Sequence, residues 1–299
     1  MDLWQLKIFC KVVELKSFSK AGDAVHLSQP TVSSHIKDLE DHFGTRLVDR
    51  LSRQAVPTKA GELLYDYAHR LIALRDKAEA AMAEFSGKIK GNLVIGGSTI
   101  PGGYIFPKVI GHFSEKYPEV CITMKVADTS EIMSLVLTGR IEAGMVGAKS
   151  SEKLLNQESL MTDEMCLVFP PDHRWAGRQR IKVKELLEEP FVIREPGSGT
   201  LRSIEQQLQK KGYHIGDFRI IAEMGSTEAV RQAIKNRVGY SILSAVAVAD
   251  DIQAGLLKTA VIEGMNLKRN FYLITHKQRT PSPLCNTFID FLRMELLHT

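Results

Sequence analysis

The chain has 299 residues, 25% of them charged, 44% apolar and a net charge of +4. No run approaches the ~20 consecutive apolar residues that a membrane helix requires, so nothing is expected to span a bilayer. Cys10, Cys121, Cys166 and Cys285 stand far apart with no C-x-x-C and no companion histidine spacing, which argues against a zinc site and agrees with a cytoplasmic location.

Residues 1–16, MDLWQLKIFCKVVELK, read as an amphipathic helix with charge throughout; they lack a signal peptide's apolar core and small-residue cleavage site, against an exported solute-binding protein. In residues 17–40, SFSKAGDAVHLSQPTVSSHIKDLE, Phe18, Ala21, Ala24 and Val25 recur at helical spacing, as do Val32, Ile36 and Leu39. The link between them is too short for antiparallel helices. It suits a tight helix-turn-helix crossing, with Gly22 allowing close backbone approach. Ser28 is a natural N-cap, and Pro30 is tolerated in a first turn whose N–H groups have no intrahelical partner. The second helix then turns Gln29, Thr31, Ser33, Ser34 and Lys37 away from its apolar side, groups able to reach base edges and phosphates in a major groove. Charge alone does not decide the matter, because residues 1–60 hold nine Lys/Arg against seven Asp/Glu. Residues 47–58 read as a short hairpin carrying Arg50 and Arg53, after which Thr58 caps another helix.

Residues 1–65 resemble the DNA-binding domain of LysR-type transcriptional regulators. The matching stretches are LxxFxxVxxxxSFSxA from Leu6, LSQPTVS from Leu27, IKDLE from Ile36 and GTRLVDRLSR…PTKAGE from Gly44. The run of the first hundred residues suggests the subgroup associated with sulfur or selenium metabolism. The resemblance implies a winged helix-turn-helix in which Ser28, Gln29, Pro30, Thr31, Ser33, Ser34 and Lys37 face double-stranded DNA at a dyad operator, with Arg53 in the wing. Members commonly carry arginine after the serine, where this chain has Ser34 and His35; Lys37 is then the cation left for that contact.

From Ala60 the apolar positions Leu64, Tyr67, Leu71, Leu74, Ala78, Ala81 and Phe85 follow in alternating steps of four and three, flanked by charges. A core helix is one reading; a self-pairing heptad seam fits the narrow stripe better, and assigns Leu64, Tyr67, Leu71, Leu74, Ala78 and Phe85 to a dimer contact. The family implies the same linker helix, a homodimer or homotetramer, and RNA polymerase as a partner. Two glycines in Ser86–Gly91 place a hinge there. The expected domains are 1–58 (DNA binding), 59–90 (linker and hinge) and 91–299 (regulatory).

Beyond the hinge, short apolar runs at 92–96, 120–126, 143–147, 166–169, 191–194, 218–222, 239–243 and 271–275 alternate with amphipathic stretches, which implies an α/β domain with mainly parallel sheets. The resemblance, weaker here, implies two subdomains like those of a periplasmic solute-binding protein: I over about 91–162 and 268–299, II over about 163–267. The chain should cross between them near 163–169 and 265–271, and a last helix near 283–297 should return to the first. Ligands in such sheets sit beyond the carboxyl ends of strands. Those ends carry Ser98, Thr99 and Pro101; Thr129; Ser198, Gly199 and Thr200; and Ser226 and Thr227. Hydroxyls and amides converging where helices begin suit a small oxyanion or carboxylate, although Ser and Thr are also ordinary caps. The family places an effector cleft here, and the effector is expected to alter operator binding or DNA bending.

Catalysis is the competing class. Gly197-x-Gly199 lacks the third glycine of a dinucleotide fingerprint, and no phosphate loop, H-E-x-x-H or G-x-S-x-G occurs. Asp250-Asp251 and Glu188-Glu189 read as solvated helix ends. No enzyme and no metal or organic cofactor is expected.

Overall fold

The computed structural model describes residues 1–51, 54–85 and 89–297. The chain forms two compact units, Met1–Gly91 with Thr138–Arg140, and Asn92–Leu137 with Ile141–Thr299.

The first unit opens with α1 (Leu3–Leu15), whose start is fixed by a reciprocal cap: Gln5 N donates to Asp2 Oδ1 at 2.8 Å and Asp2 N to Gln5 Oε1 at 3.0 Å. Helix α2 (Phe18–Val25) is capped by Ser17 and ends on His26 in the left-handed region, φ 57°. The turn is as tight as its length requires. A Cβ on Gly22 would lie 2.6 Å from the Leu27 carbonyl oxygen, so any larger residue would push the two helices apart. Helix α3 (Gln29–Phe43) starts where expected: Ser28 Oγ accepts from Thr31 N at 3.3 Å, and Pro30 sits in the first turn. Val32, Ile36 and Leu39 are buried on its inner side, against Phe9 and Val12 of α1. Strands β1 (Val48–Leu51) and β2 (Gln54–Pro57) form the antiparallel hairpin, tied back by Ala55 N to Lys16 O at 3.0 Å. Helix α4 (Lys59–Phe85) begins at Thr58, whose hydroxyl accepts from Gly61 N and donates to Arg46 O. Its 27 residues extend roughly 40 Å. The side chain of Arg53, and the hinge residues Ser86–Lys88, lie outside the described residues.

The second unit runs β3 (Gly91–Ser98), a π-helical turn at Pro101–Ile105, α5 (Phe106–Lys116), β4 (Val120–Ala127), α6 (Thr129–Thr138), β5 (Ala143–Val146) and β6 (Leu155–Phe169). It continues through β7 (Arg180–Ile181), α7 (Val183–Leu186), β8 (Phe191–Arg194), α8 (Gly199–Gln209), β9 (Ile220–Met224), α9 (Thr227–Lys235) and β10 (Ser241–Ser244). Helix α10 (Ala245–Gln253), β11 (Lys258–Ile262), β12 (Lys268–His276) and α11 (Pro283–Leu297) complete it. Eight strands form one sheet in the order β4-β3-β5-β12-β6-β11-β7, with β10 also on β6, while β8 and β9 pair separately in parallel.

The large sheet is mixed, not mainly parallel. Strand β6 is 15 residues long and antiparallel to β12, β10 and β11 alike: Leu155–Glu164 pairs with β12, and Met165–Phe169 with β10 and β11. It therefore runs from one lobe into the other, and only its last, wholly apolar part was visible as a strand in the sequence. Each lobe has its own core. Ile132, Val136, Val146 and Ile274 centre the first; Phe169, Trp175, Phe191 and Tyr240 centre the second, where Phe191 and Tyr240 stack at 4.7 Å. Helix α11 packs on α5 through Phe288 and Phe291, 5.1 and 5.2 Å from Phe113. Asp251 is no solvated helix end: its carboxylate is 7% exposed and bound by Arg231 at 2.6 Å and Lys235 at 3.2 Å. Glu189 likewise pairs with Arg174 and His173. Burial pushes the Cys10 thiol up to about 12 and the Cys166 thiol to about 11, so both are poor nucleophiles near neutrality. Cys121, by contrast, is exposed on β4.

Candidate nucleic-acid interface and effector cavity

Because Val32, Ile36 and Leu39 commit one side of α3 to the core, the opposite side is left to solvent. Ser28, Gln29, Pro30, Thr31, Ser34 and Lys37 are exposed there, and Ser33 is half-buried. Gln29 Nε2 donates to Ser33 Oγ at 2.8 Å, and the Ser28 and Thr31 hydroxyls lie 2.7 Å apart, so the helix start carries a preset string of short polar groups. Pro30, Ser33, Ser34 and Lys37 share one shallow groove with Arg46 and Glu40. Sequence reading passed over both of those residues. Arg46 is exposed on the approach to the hairpin, and among the described residues neither it nor Lys37 takes part in an ion pair. Glu40 Oε1 accepts from Leu47 N at 2.9 Å and Val48 N at 3.2 Å, which fastens the hairpin to α3. The available signal was an acidic residue near the end of α3, shortly before Arg46 in GTRLVDR. On α4, Leu64 leans on the head's core, whereas Tyr67, Leu71, Leu74 and Ala78 are exposed, Tyr67 to 54% and Leu74 to 63%. The Phe85 side chain lies outside the described ones.

In the second unit a small, partly open cavity forms where the lobes meet. Its free volume is about 10 Å³, room for one water-sized group. Ser98, Thr99, Thr129, Ser198, Gly199 and Thr200 all line it. Four of them belong to helix starts: Thr129 opens α6, Ser198 caps α8, and Gly199 and Thr200 are the first residues of α8. Gly199 is what lets the lobes close, since a Cβ there would lie 2.7 Å from Thr129 Oγ1 and 3.0 Å from the Gly147 carbonyl carbon. The other three expected residues stand elsewhere. Pro101 starts the π-helical turn, and the Ser226 hydroxyl is taken up by capping α9 through Ala229 N. Thr227 sits behind the cavity wall, accepting from Arg194 Nη1 at 2.7 Å.

The charges were the part not foreseen. Arg194 and Arg269 both line the cavity and are almost wholly buried, at 2% and 6% side-chain exposure. Arg194 forms a two-pronged pair with Glu195 at 2.6 Å and reaches across the lobes to Thr99 Oγ1 at 3.1 Å. Arg269 stands directly opposite Asp163 in the β12–β6 ladder; its Nε donates to Asp163 Oδ2 at 2.7 Å and its Nη1 to Thr200 Oγ1 at 3.0 Å. Burial lowers the Arg269 pKa, and the fully buried Asp163 carboxylate opposes that. Ser244 Oγ donates to the same carboxylate at 2.6 Å. Two polar atoms on this wall, Arg269 Nη2 and Thr129 Oγ1, are buried without a hydrogen-bond partner among the described residues. Asp128, which caps α6 through Glu131 N, adds one acceptor. The set offers donors first: hydroxyls, guanidinium N–H groups and two helix N-termini. Among the described residues no group of three or more His, Cys, Asp or Glu could hold a metal ion, and no helix is long and apolar enough to cross a membrane.

The family model described as LysR substrate binding domain matches residues 86–297, and that described as bacterial regulatory helix-turn-helix protein, lysR family, matches residues 3–62. The "Probable RuBisCO transcriptional regulator" of Cyanidioschyzon merolae is 32% identical over 95% of this chain and 95% of its own length. The "HTH-type transcriptional regulator CysL" of Bacillus subtilis is 33% identical over 90% and 89%. Among solved structures, the Synechocystis CcmR regulatory domain in complex with 2-PG superimposes with a TM-score of 0.63 at 26% identity, over 69% of this chain and 97% of that one. These relatives are transcriptional regulators and not enzymes, and they do not single out the sulfur or selenium subgroup. With both family regions matched in order along one chain, this protein belongs to the LysR family of DNA-binding transcriptional regulators that carry an effector-binding domain.

Proposed function

We propose that the protein is a cytoplasmic regulator whose operator binding or DNA bending responds to a small anion held in the cavity between the lobes. Residues 1–58 read DNA, 59–90 join two copies, and 91–299 sense the effector, with lobe I at about 91–162 and 268–299 and lobe II at about 163–267. In the head, Ser28, Gln29, Thr31, Ser33, Ser34 and Lys37 meet the groove; Arg46 joins Lys37 on phosphate, and Arg53 belongs to the wing. Tyr67, Leu71, Leu74 and Ala78 form the exposed seam by which two α4 helices pair, putting two heads on half-sites about one helical turn, or ~34 Å, apart. A tetramer and contact with RNA polymerase complete this reading.

One observation carries the choice of effector: Arg269 Nη2 and Thr129 Oγ1, both buried and without a hydrogen-bond partner among the described residues, share one cavity with five further donors or helix starts. An unsatisfied buried polar group costs about 1–3 kcal/mol, more when charged, and a bound oxyanion or carboxylate removes that cost. Both arginines already have carboxylate partners, so attraction rests on the remaining N–H and O–H groups and on the helix ends. Asp128 calls for a donor on the ligand, which favours a small acid bearing a hydroxyl or amino group over a bare inorganic ion. That a relative's regulatory domain was solved with the small molecule 2-PG supports a small-molecule effector. The free volume admits about one water-sized group, so such a ligand must part the lobes slightly. That opening is a change the ligand can bias, because it prefers one lobe arrangement over the other.

Calorimetric titration of the full chain with sulfate, phosphate and small hydroxy, amino and plain carboxylic acids tests this. Heat is expected from at least one acid, and Thr129→Val should weaken it about tenfold or more. Silence from every anion, with a cationic or apolar ligand binding instead, would overturn the assignment. Identical footprints and bend angles with and without a bound acid would remove the switching step.

A further inference from the structure

Beside the effector cavity lies a second, open pocket of about 280 Å³, and Gly147 and Arg269 belong to the wall common to both. Its own lining comes from three elements. Lys149 lies just beyond β5, Gln206 and Gln207 project from α8, and Lys268 and Asn270 sit two residues apart on β12 and so face the same side of the sheet. Among the described residues no Asp or Glu lines this pocket. Among the described residues no carboxylate comes within ion-pair distance of Lys149 or Lys268; Glu164, opposite Lys268 in the ladder, turns into a different pocket. The Asn270 carbonyl oxygen is occupied by Thr162 Oγ1 at 3.2 Å, which leaves its NH₂ to donate, while the Ser203 hydroxyl donates to Gly199 O at 2.8 Å and keeps only acceptor capacity toward the pocket.

Two ammonium groups with no ion-pair partner among the described residues and three side-chain amides line one small concavity, with a buried guanidinium behind them, so every charge on this wall is positive. We infer that this pocket is a second anion site, for a tetrahedral oxyanion group such as phosphate, free or as a monoester. Lysines hold phosphate as point charges, and amides supply directed hydrogen bonds to its remaining oxygens. The site stands whatever fills the first cavity. Since Arg269 and Gly147 are common to both walls, occupancy of one pocket bears on the other, and any coupling between them is reciprocal.

Equilibrium dialysis of the full chain against labelled phosphate, with ionic strength fixed by chloride, provides the test. Lys149→Gln/Lys268→Gln replaces two exposed side chains, so melting should match the parent. Phosphate affinity at this site should fall about tenfold or more, and Thr129→Val should leave it unchanged. Competition by glycerol phosphate assigns the site to esters; competition by inorganic phosphate alone assigns it to the free ion. Equal phosphate binding by parent and double-lysine variant overturns the inference. If in addition Thr129→Val abolishes the binding, the first cavity holds the anion and the second pocket does not; loss with the lysines but not with Thr129→Val keeps the second site and leaves the first to its own titration with organic acids.

Discussion

The reading head and the sensing cavity treat polar groups in opposite ways. On α3 the side chains proposed to meet DNA are exposed or half-buried, and several bond to their helix neighbours, Gln29 to Ser33 and Ser28 to Thr31. In the cavity two of the side chains are buried cations: Arg269 is held across strands by Asp163, and Arg194 by its neighbour Glu195 and, across the lobes, by Thr99. A surface that must meet a polyanion keeps its donors free in water, where exposure costs little. A cavity that must discriminate between small molecules keeps its donors desolvated, and so each needs a fixed counter-charge. Substitutions at the two places should therefore fail in different currencies: binding without stability at the head, stability together with binding at the cavity.

The largest effect is expected at Asp163. Asp163→Ala strands the Arg269 guanidinium in a buried position and frees Ser244 Oγ, and should lower unfolding free energy by about 3–5 kcal/mol in urea titrations. Replacing both partners, as Asp163→Leu/Arg269→Leu, should recover most of that loss while leaving anion binding abolished. A double variant no more stable than the single one would mean that the pair is not the principal bond between β6 and β12 at this point.

Gln29→Ala makes the contrasting case. Its side chain is exposed, so melting should not change, while discrimination between a selected operator and random duplex should drop by about 1–3 kcal/mol if Gln29 reads a base edge. Equal discrimination would take Gln29 off the groove. Arg46→Ala should act more weakly and uniformly: affinity for all duplexes falls, and the slope of log K against log salt becomes shallower by about one unit. A change in sequence preference instead would place Arg46 on a base.

The contrast also explains what could be read in advance. Along α3 the information is local: Ser28 caps, Pro30 fits a first turn, and Val32, Ile36 and Leu39 define which side is inside. The groove face follows from those few neighbours. For the cavity, spacing located Ser98, Thr99, Thr129, Ser198, Gly199 and Thr200, because each sits at a strand end before a helix. The arginines gave no such sign. Arg194 ends an apolar strand, and Arg269 precedes the apolar run Phe271–Ile274, where a lone cation looks like an edge residue. Only the pairing of Arg269 with Asp163, over a hundred positions apart, reveals a buried charge. The extent of β6 was hidden for a related reason: its Leu155–Glu164 half carries Asn156, Gln157, Glu158 and Thr162, polar residues that a half-exposed strand tolerates. Ser226 and Thr227 show the limit from the other side, since a hydroxyl at a helix start can cap or can brace a neighbour without touching a ligand.

The smallest expected effect lies away from both sites and checks that pH responses are not mistaken for effector responses. His112 on α5 bonds Glu295 on α11 at 2.7 Å, and that hydrogen bond raises the imidazole pKa above its ordinary 6.5. A raised folded-state value means the protonated pair stabilises the fold fully below pH 6.5, and the contribution disappears as pH rises through the folded value. The pair is solvent-exposed, so salt screens it and the change should be small. His112→Asn should melt below the parent at about pH 5.5 and level with it at about pH 8, with anion binding unaltered at both. A gap that widens toward alkaline pH would reverse the sign of the shift, and a loss of anion binding would mean that the α5–α11 contact bears on the cavity after all.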